Sequence, residues 1–345
     1  MVDTSALPVP IRGQHLRRRA SAVVGAASVI LLWLASGLLV PPALTRLSAQ
    51  LQGLVTIFLG IFIEALPFLL AGVLTSSAIH LFVSPERVRR LSPRSPLLAA
   101  LSGALLGLAF PVCECGSVPT TRRLLLKGAP LPLGMAFVLA APAVNPIVIA
   151  STWVAFSGRP EIVLGRIGLT VLIAAAVGLI LGRHPAPHQL LVPQHQDQDD
   201  EHDHDHGPHE QGRVRAVLTH ASGEFFEMGR YLVIGGLIAA TLQVIVPRTT
   251  LLALGQGPVV SILVLMALAV VLSICSTVDA FVALAFASSF LPGALLAFLV
   301  FGPMIDIKSV LMFTTTFRRR TVALMVLLTF QMVLLAGIII NLYLR

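Results

Sequence analysis

The chain has 345 residues, 56% of them hydrophobic and only 12% charged, with a formal net charge of +8 and a mean hydropathy of +0.89. A soluble globular chain carries about 25% charged residues, so half the expected charge is missing and most soluble classes are excluded. Two Tyr and two Trp are too few for the aromatic girdles of a membrane barrel. The fold class left is all-α, a polytopic transmembrane helical bundle, because only helices and closed barrels satisfy their backbone groups in lipid.

In chain order, residues 1–20 read as a basic tail and 21–50 as an extra N-terminal transmembrane helix. Its apolar run is about 20 residues long, followed by Pro41-Pro42 and lacking a clear small-residue cleavage site, which favours an uncleaved helix over a signal peptide. A first membrane repeat follows over 51–182, with apolar runs near 52–83, 97–112, 131–157 and 161–182. A basic turn, 84–95, and a broken stretch, 113–130, interrupt these runs. Residues 183–215 form a hydrophilic loop in which His202, His204, His206 and His209 alternate with Asp and Glu. The second membrane repeat, 216–345, has runs near 216–246, 258–278, 280–291, 293–316 and 321–344. The total is about nine to eleven crossings at roughly 20 apolar residues per span.

The two repeats align 163 residues apart: Glu64 falls on Glu227, Gly72 on Gly235 and Val83 on Val246. With a shift of one or two residues, Cys113 falls on Cys275, Pro142 on Pro303 and Asn145 on Asp306. Counting 119–127 and 280–291 as short crossings gives each repeat five and inverts the second copy, with re-entrant segments the alternative reading of these two stretches. With the N-terminus cytoplasmic, the tail, 84–95, 183–215 and 318–320 then share one side and hold fourteen Arg. The other side keeps Arg46, Arg159, Arg248 and Arg345. This is the positive-inside asymmetry of a multi-pass protein of the inner (cytoplasmic) membrane, and it accounts for the positive charge without nucleic acid.

Broken helices within repeats are where secondary transporters bind substrate. In Phe110-Pro-Val-Cys-Glu-Cys-Gly-Ser-Val-Pro119, two prolines and a glycine oppose an unbroken helix. Cys113, Glu114 and Cys115 thus form a soft, ionisable cluster at a break, with Cys275 a third sulfur at the repeat-related position; small buried filler is the alternative reading of these thiols. Asn145 in Ala140-Ala-Pro-Ala-Val-Asn-Pro146, Asp279, and Asp306 with Lys308 in Gly302-Pro-Met-Ile-Asp-Ile-Lys308 are the other substrate-path candidates. Charged residues at a helix centre cost about 2.5–3.5 kcal/mol each, so Asp306 and Lys308 are expected to be paired or to face water. Glu64, without a local partner, and Glu227, three residues before Arg230, are the candidate proton carriers. The four loop histidines could take up a metal weakly or belong to a plain polar linker. No phosphate-binding loop of the G-x-x-x-x-G-K-[ST] type occurs, so transport relies on an ion gradient or is passive.

Pro111-Val-Cys-Glu-Cys-Gly-Ser-Val-Pro119, Arg123-Leu124, Lys127-Gly128, Ala136-Phe137, Ala140-Ala-Pro-x-x-Asn-Pro146 and Gly302-Pro-Met-Ile-Asp-Ile-Lys308 closely resemble the YraQ/ArsP-type permeases over roughly residues 50–345. The resemblance implies an inner-membrane permease, in a family where some members are implicated in efflux of trivalent organoarsenicals and a related branch is associated with copper and zinc export. The expected function is therefore a secondary transporter exporting a soft metalloid or metal species. A copper or zinc exporter and a channel-like subunit serving a partner are the alternatives. No enzymatic activity and no cofactor are expected. The expected partners are the lipid bilayer and a small inorganic or organometalloid substrate, with homo-oligomerisation left open.

Overall fold

The computed structural model describes residues 42–110, 112–183, 191, 210–246 and 257–343. The expected helix at 21–40, Pro111, His202, His204, His206 and His209 lie outside them. The chain divides into two compact units at Gly53. Of the first, only the opening of one helix, from Pro42, is described. The second unit, from Leu54 onward, holds the helical bundle.

The first half comprises α1 (Pro42–Phe82), α2 (Pro85–Leu91), α3 (Pro96–Leu105, tightening into a 3-10 turn at Leu106–Leu108), α4 (Glu114–Leu126), α5 (Leu131–Ala140), α6 (Pro146–Ala155) and α7 (Pro160–Gly182). The second comprises α8 (Glu210–Ile245), α9 (Val260–Leu272), α10 (Asp279–Phe286), α11 (Pro292–Met304), α12 (Ile307–Thr316) and α13 (Arg319–Tyr343). The prolines set many of these starts: α2, α3, α5, α6, α7 and α11 each carry Pro in the first two positions. There the missing amide loses no helical bond and the fixed φ is already helical. Among the described residues, five helical stretches are long and apolar enough to cross a membrane, one of them α11 and α12 taken together, so the chain is an all-α, multi-pass membrane protein.

The apolar runs are more broken than their composition suggests. The run 131–157 is α5 and α6, separated at 141–145, and 293–316 is α11 and α12, separated at Ile305-Asp306. The run 258–278 is helical only to Leu272. Conversely, most of the stretch expected to be broken, 113–130, is helix α4, with Pro119 inside it. Proline is tolerated at this depth when neighbouring protein encloses the freed backbone, and every residue from Glu114 to Thr121 is buried.

The segments 119–127 and 280–291 fall largely in two short helices, α4 of 13 residues and α10 of 8 residues. Lys127 Nζ at the end of α4 donates to the carbonyl of Val83, and Gly128, at φ +89°, lies against the Arg89 side chain. The end of α4 therefore lies beside the end of α1 and the short helix α2. In the second half, Asn341 Nδ2 donates to the Pro258 carbonyl at 2.8 Å, while its Oδ1 accepts from the Gly293 amide at 2.8 Å. The starts of α9 and α11 thus meet at the end of α13. Only residues 287–291 join α10 to α11.

Packing follows one pattern in both halves. α3 lies on α5 and α5 on α7; α9 lies on α11 and α11 on α13. Between halves, α4 packs on α12 and α10 on α6. At the bundle centre, backbones come into direct contact. A Cβ on Gly72 of α1 would sit 2.2 Å from Gly116 Cα of α4, and one on Gly235 of α8 would sit 2.9 Å from Lys308 Cα.

Candidate substrate site in the membrane

Four helix breaks supply the polar groups of the bundle centre. Helices α4, α6, α10 and α12 all start at a break, and each brings a carboxylate or amide to its first positions: Glu114, Asn145, Asp279 and Asp306. These residue types suit helix starts, because they accept from unpaired amides and oppose the positive end of the helix dipole. Asn145 Oδ1 accepts from the Ile147 amide at 2.9 Å, and Asp306 Oδ1 from the Ser309 amide at 2.6 Å.

The same side chains join the breaks. Asn145 Nδ2 donates to the Val112 carbonyl at 3.4 Å, linking the two breaks of the first half. In the second half, the Ile307 amide donates to Ser273 Oγ at 3.4 Å. Ser273 has φ +44°, the one non-glycine in the left-handed region among the described residues. Such a conformation persists only where its surroundings enforce it, and here its hydroxyl receives the first amide of α12.

Lys308 connects the halves. Its ammonium lies 3.4 Å from Glu114 Oε1 and 3.4 Å from Asp306 Oδ2, with all three side chains buried. The cluster has two carboxyls for one ammonium, and Glu114 Oε2 is buried without a hydrogen-bond partner. Cys113, Cys115 and Cys275 are buried free thiols. Cys113 and Cys115 are in side-chain contact, and Cys275 lies within electrostatic reach of Glu114 and Cys113. Among the described residues, no three His, Cys, Asp or Glu are arranged to hold a metal ion. The centre is thus a thiol-flanked ion cluster rather than a preassembled metal cage.

Not every expected residue joins it. Asp279 is engaged by Arg166 of α7, whose terminal nitrogens donate to Oδ1 at 2.9 Å and Oδ2 at 2.7 Å. Glu64 is half-buried with Oε1 enclosed and unpartnered, and Lys308 is the charge that acts on it. Glu227 lies eight residues before Gly235, roughly 12 Å along α8. Its pairing with Arg230 does not occur: Arg122 of α4 holds Glu227 at 3.3 Å, while the Arg230 guanidinium sits 5.1 Å from the Tyr231 ring centroid. Neighbouring Glu224 is held by Arg123 at 2.7 Å. Tertiary packing offers Glu227 a partner on another helix, which the helical spacing alone cannot reveal.

Arg166 is the site residue that sequence reasoning misses. The apolar composition of 160–182 makes it read as a plain span, although a cation at that depth is a signal in itself.

Broken spans that enclose buried polar groups in a helical membrane bundle are typical of membrane permeases. The chain is a member of a family described as "Predicted permease" (ArsP_1), whose model matches residues 50–342. It is 48% identical to the UPF0718 protein YcgR of Bacillus subtilis (strain 168) over 298 residues, covering 86% of this chain and 100% of that one. It is also 35% identical over 277 residues to a Streptococcus mutans protein named "Putative two-component membrane permease complex subunit", covering 79% of this chain and 89% of that one. No solved structure matches.

Proposed function

We propose that this permease is a secondary transporter exporting a soft metalloid or metal species, with a trivalent (organo)arsenical as the leading substrate class. One observation carries the reading: the thiols of Cys113 and Cys115 are buried beside the Glu114–Lys308–Asp306 cluster, where α4 of one half meets α12 of the other. Soft thiolates select soft electrophilic ions, and a trivalent organoarsenical with one or two exchangeable positions needs no three-ligand cage. Cys113 and Cys115, with Cys275 nearby, engage the substrate; Asn145, Asp306 and Lys308 line its path. Glu64, with its enclosed unpartnered oxygen, is the better placed of the two candidate proton carriers.

An inverted internal repeat underlies this arrangement. Element order supports it, as does the crosswise packing of α4 on α12 and α10 on α6. In this reading α3–α4 and α9–α10 are re-entrant hairpins that enter from opposite faces, as two copies related by an axis in the membrane plane would place them. Each copy crosses three times, an odd number that also makes the second inverted. An inner-membrane location with a cytoplasmic N-terminus follows from the arginine distribution.

The test is growth resistance and efflux in a sensitive bacterial host, with wild type and a Cys113→Ser/Cys115→Ser variant challenged by phenylarsenite, antimonite, copper and zinc. Resistance to the arsenical that is lost in the double variant, at equal membrane abundance, supports the reading. Undiminished transport by the variant overturns it, and copper or zinc resistance alone moves the substrate to those ions. The name of the Streptococcus mutans relative favours a second reading, a subunit that needs a partner. Efflux by the purified chain in proteoliposomes refutes that reading.

A further inference from the structure

A groove of about 510 Å³ opens between α12 and α13, away from the ion cluster. Its walls are apolar: Val310 and Thr314 on α12, with Ala323, Val326 and Phe330 on α13, and Arg319 at its mouth. The hydroxyl of Thr314 donates to the Leu311 carbonyl of its own helix at 2.6 Å, so it asks nothing polar of an occupant. From Arg319 to Phe330 the groove runs roughly 16 Å along α13. That is about half the ~30 Å hydrocarbon core of a bilayer, the reach of one acyl chain from the interface to the midplane.

Among the described residues, the positive charge at the mouth is unbalanced. Arg318, Arg319 and Arg320 are consecutive and exposed, at the face opposite the Asn341 end of α13. The first turn of α13 contains no acidic residue, so the guanidinium groups crowd the positive end of the helix dipole, where an anion is favoured and a cation is not. Arg318 Nε is occupied by the Leu191 carbonyl at 3.1 Å. Arg319 and Arg320 have no ion-pair partner among the described residues. A phosphate headgroup supplies the missing negative charge, and basic pockets between membrane helices are sites for anionic lipid.

We propose that this groove is a binding site for an anionic glycerophospholipid, with the phosphate on Arg319 and Arg320 and one acyl chain laid between α12 and α13. Val310 and Thr314 are two and six residues beyond Lys308, on the other side of the helix. The lipid chain therefore backs the half-helix whose opposite side presents Lys308 to the ion cluster.

The full-length protein, purified into detergent and mixed with phosphatidylglycerol or phosphatidylcholine, is examined by native mass spectrometry. One phosphatidylglycerol is expected to stay bound in preference to phosphatidylcholine. Arg319→Gln and Arg320→Gln should each weaken its retention about fivefold, with phosphatidylcholine unaffected. Ala323→Trp, at an exposed groove position, should displace the lipid while the arginines remain. Arg90→Gln, on α2, should change nothing. Equal retention of the two lipids overturns the proposal, as does a phosphatidylglycerol excess that survives the arginine changes and Ala323→Trp. An equal loss in Arg90→Gln also overturns it, by showing diffuse attraction to a basic surface.

Discussion

Arg166 grips both carboxylate oxygens of Asp279 at 2.9 and 2.7 Å, with the two side chains only 1% and 3% exposed. The pair ties α7 of the first half to the α10 arm of the second. The same guanidinium donates to Thr152 Oγ1 at 2.8 Å and the Ser276 carbonyl at 3.5 Å. A dry ion pair contributes little net stability compared with apolar residues of the same size, but removing one partner strands a buried charge at a cost of about 3–5 kcal/mol. Arg166→Met or Asp279→Leu alone is therefore expected to lower the thermal unfolding midpoint in detergent markedly. The double replacement should recover much of the loss. If the double variant is less stable than either single variant, the two groups are not coupled as the geometry requires.

Asp306 has two separable roles. It caps α12 through the Ser309 amide, and it lies 3.4 Å from the Lys308 ammonium. Asparagine caps about as well as aspartate, whereas alanine costs about 1 kcal/mol at such a position. Asp306→Asn is expected to impair transport while keeping the cap; Asp306→Ala should impair it equally and be about 1 kcal/mol less stable. Transport assays paired with denaturation of the two variants check this. Equal stabilities would show that the cap is dispensable.

Gly72 and Gly60 make a contrast within one helix. A Cβ at Gly72 meets the Gly116 backbone at 2.2 Å, whereas one at Gly60 meets nothing within 4 Å. Gly60→Ala is expected to stabilise α1 by roughly 0.5–1 kcal/mol, the usual gain on replacing a helical glycine. Gly72→Val must push α1 off α4 beside Cys115 and Glu114, with loss of transport. Unfolding midpoints and the rate of thiol alkylation at Cys115 read the two outcomes, and a neutral Gly72→Val would contradict the crossing.

The two ion pairs between α4 and α8 differ in quality. Arg123 to Glu224 spans 2.7 Å with the carboxylate 8% exposed, and Arg122 to Glu227 spans 3.3 Å with the carboxylate 31% exposed. Glu224→Gln should cost about 1.5–3 kcal/mol, the range for a bond to a charged group. Glu227→Gln should cost less than ~1 kcal/mol and fade in high salt. Hydrogen exchange of the α4 amides measures both; equal protection losses would erase the distinction.

Much of the helical framework is legible in the linear chain because lipid imposes a simple rule: a backbone without water must bond to itself, and long apolar runs mark where it does. The prolines at helix starts and the acidic or amide residues at the breaks are local features, so Glu114, Asn145, Asp279 and Asp306 stand out without coordinates. Hydropathy cannot tell a returning arm from a crossing, since both are apolar and α4 and α10 are each shorter than a full span. That the end of α4 lies beside the end of α1, through Lys127 and Val83, is visible only in the tertiary structure.

Composition and order along the chain by themselves determined that this is a helical membrane protein with interrupted spans, a Cys-Glu-Cys at one of the breaks and a lysine inside an apolar run. Partner choice was decided only by the tertiary structure. Lys308 meets Glu114 across 194 positions of sequence, Asp279 is taken by Arg166, and Glu227 turns to Arg122 rather than Arg230. The reason is physical: Coulomb attraction and desolvation act through distance in space, and in a bundle of broken helices that distance is set by packing between segments remote in sequence.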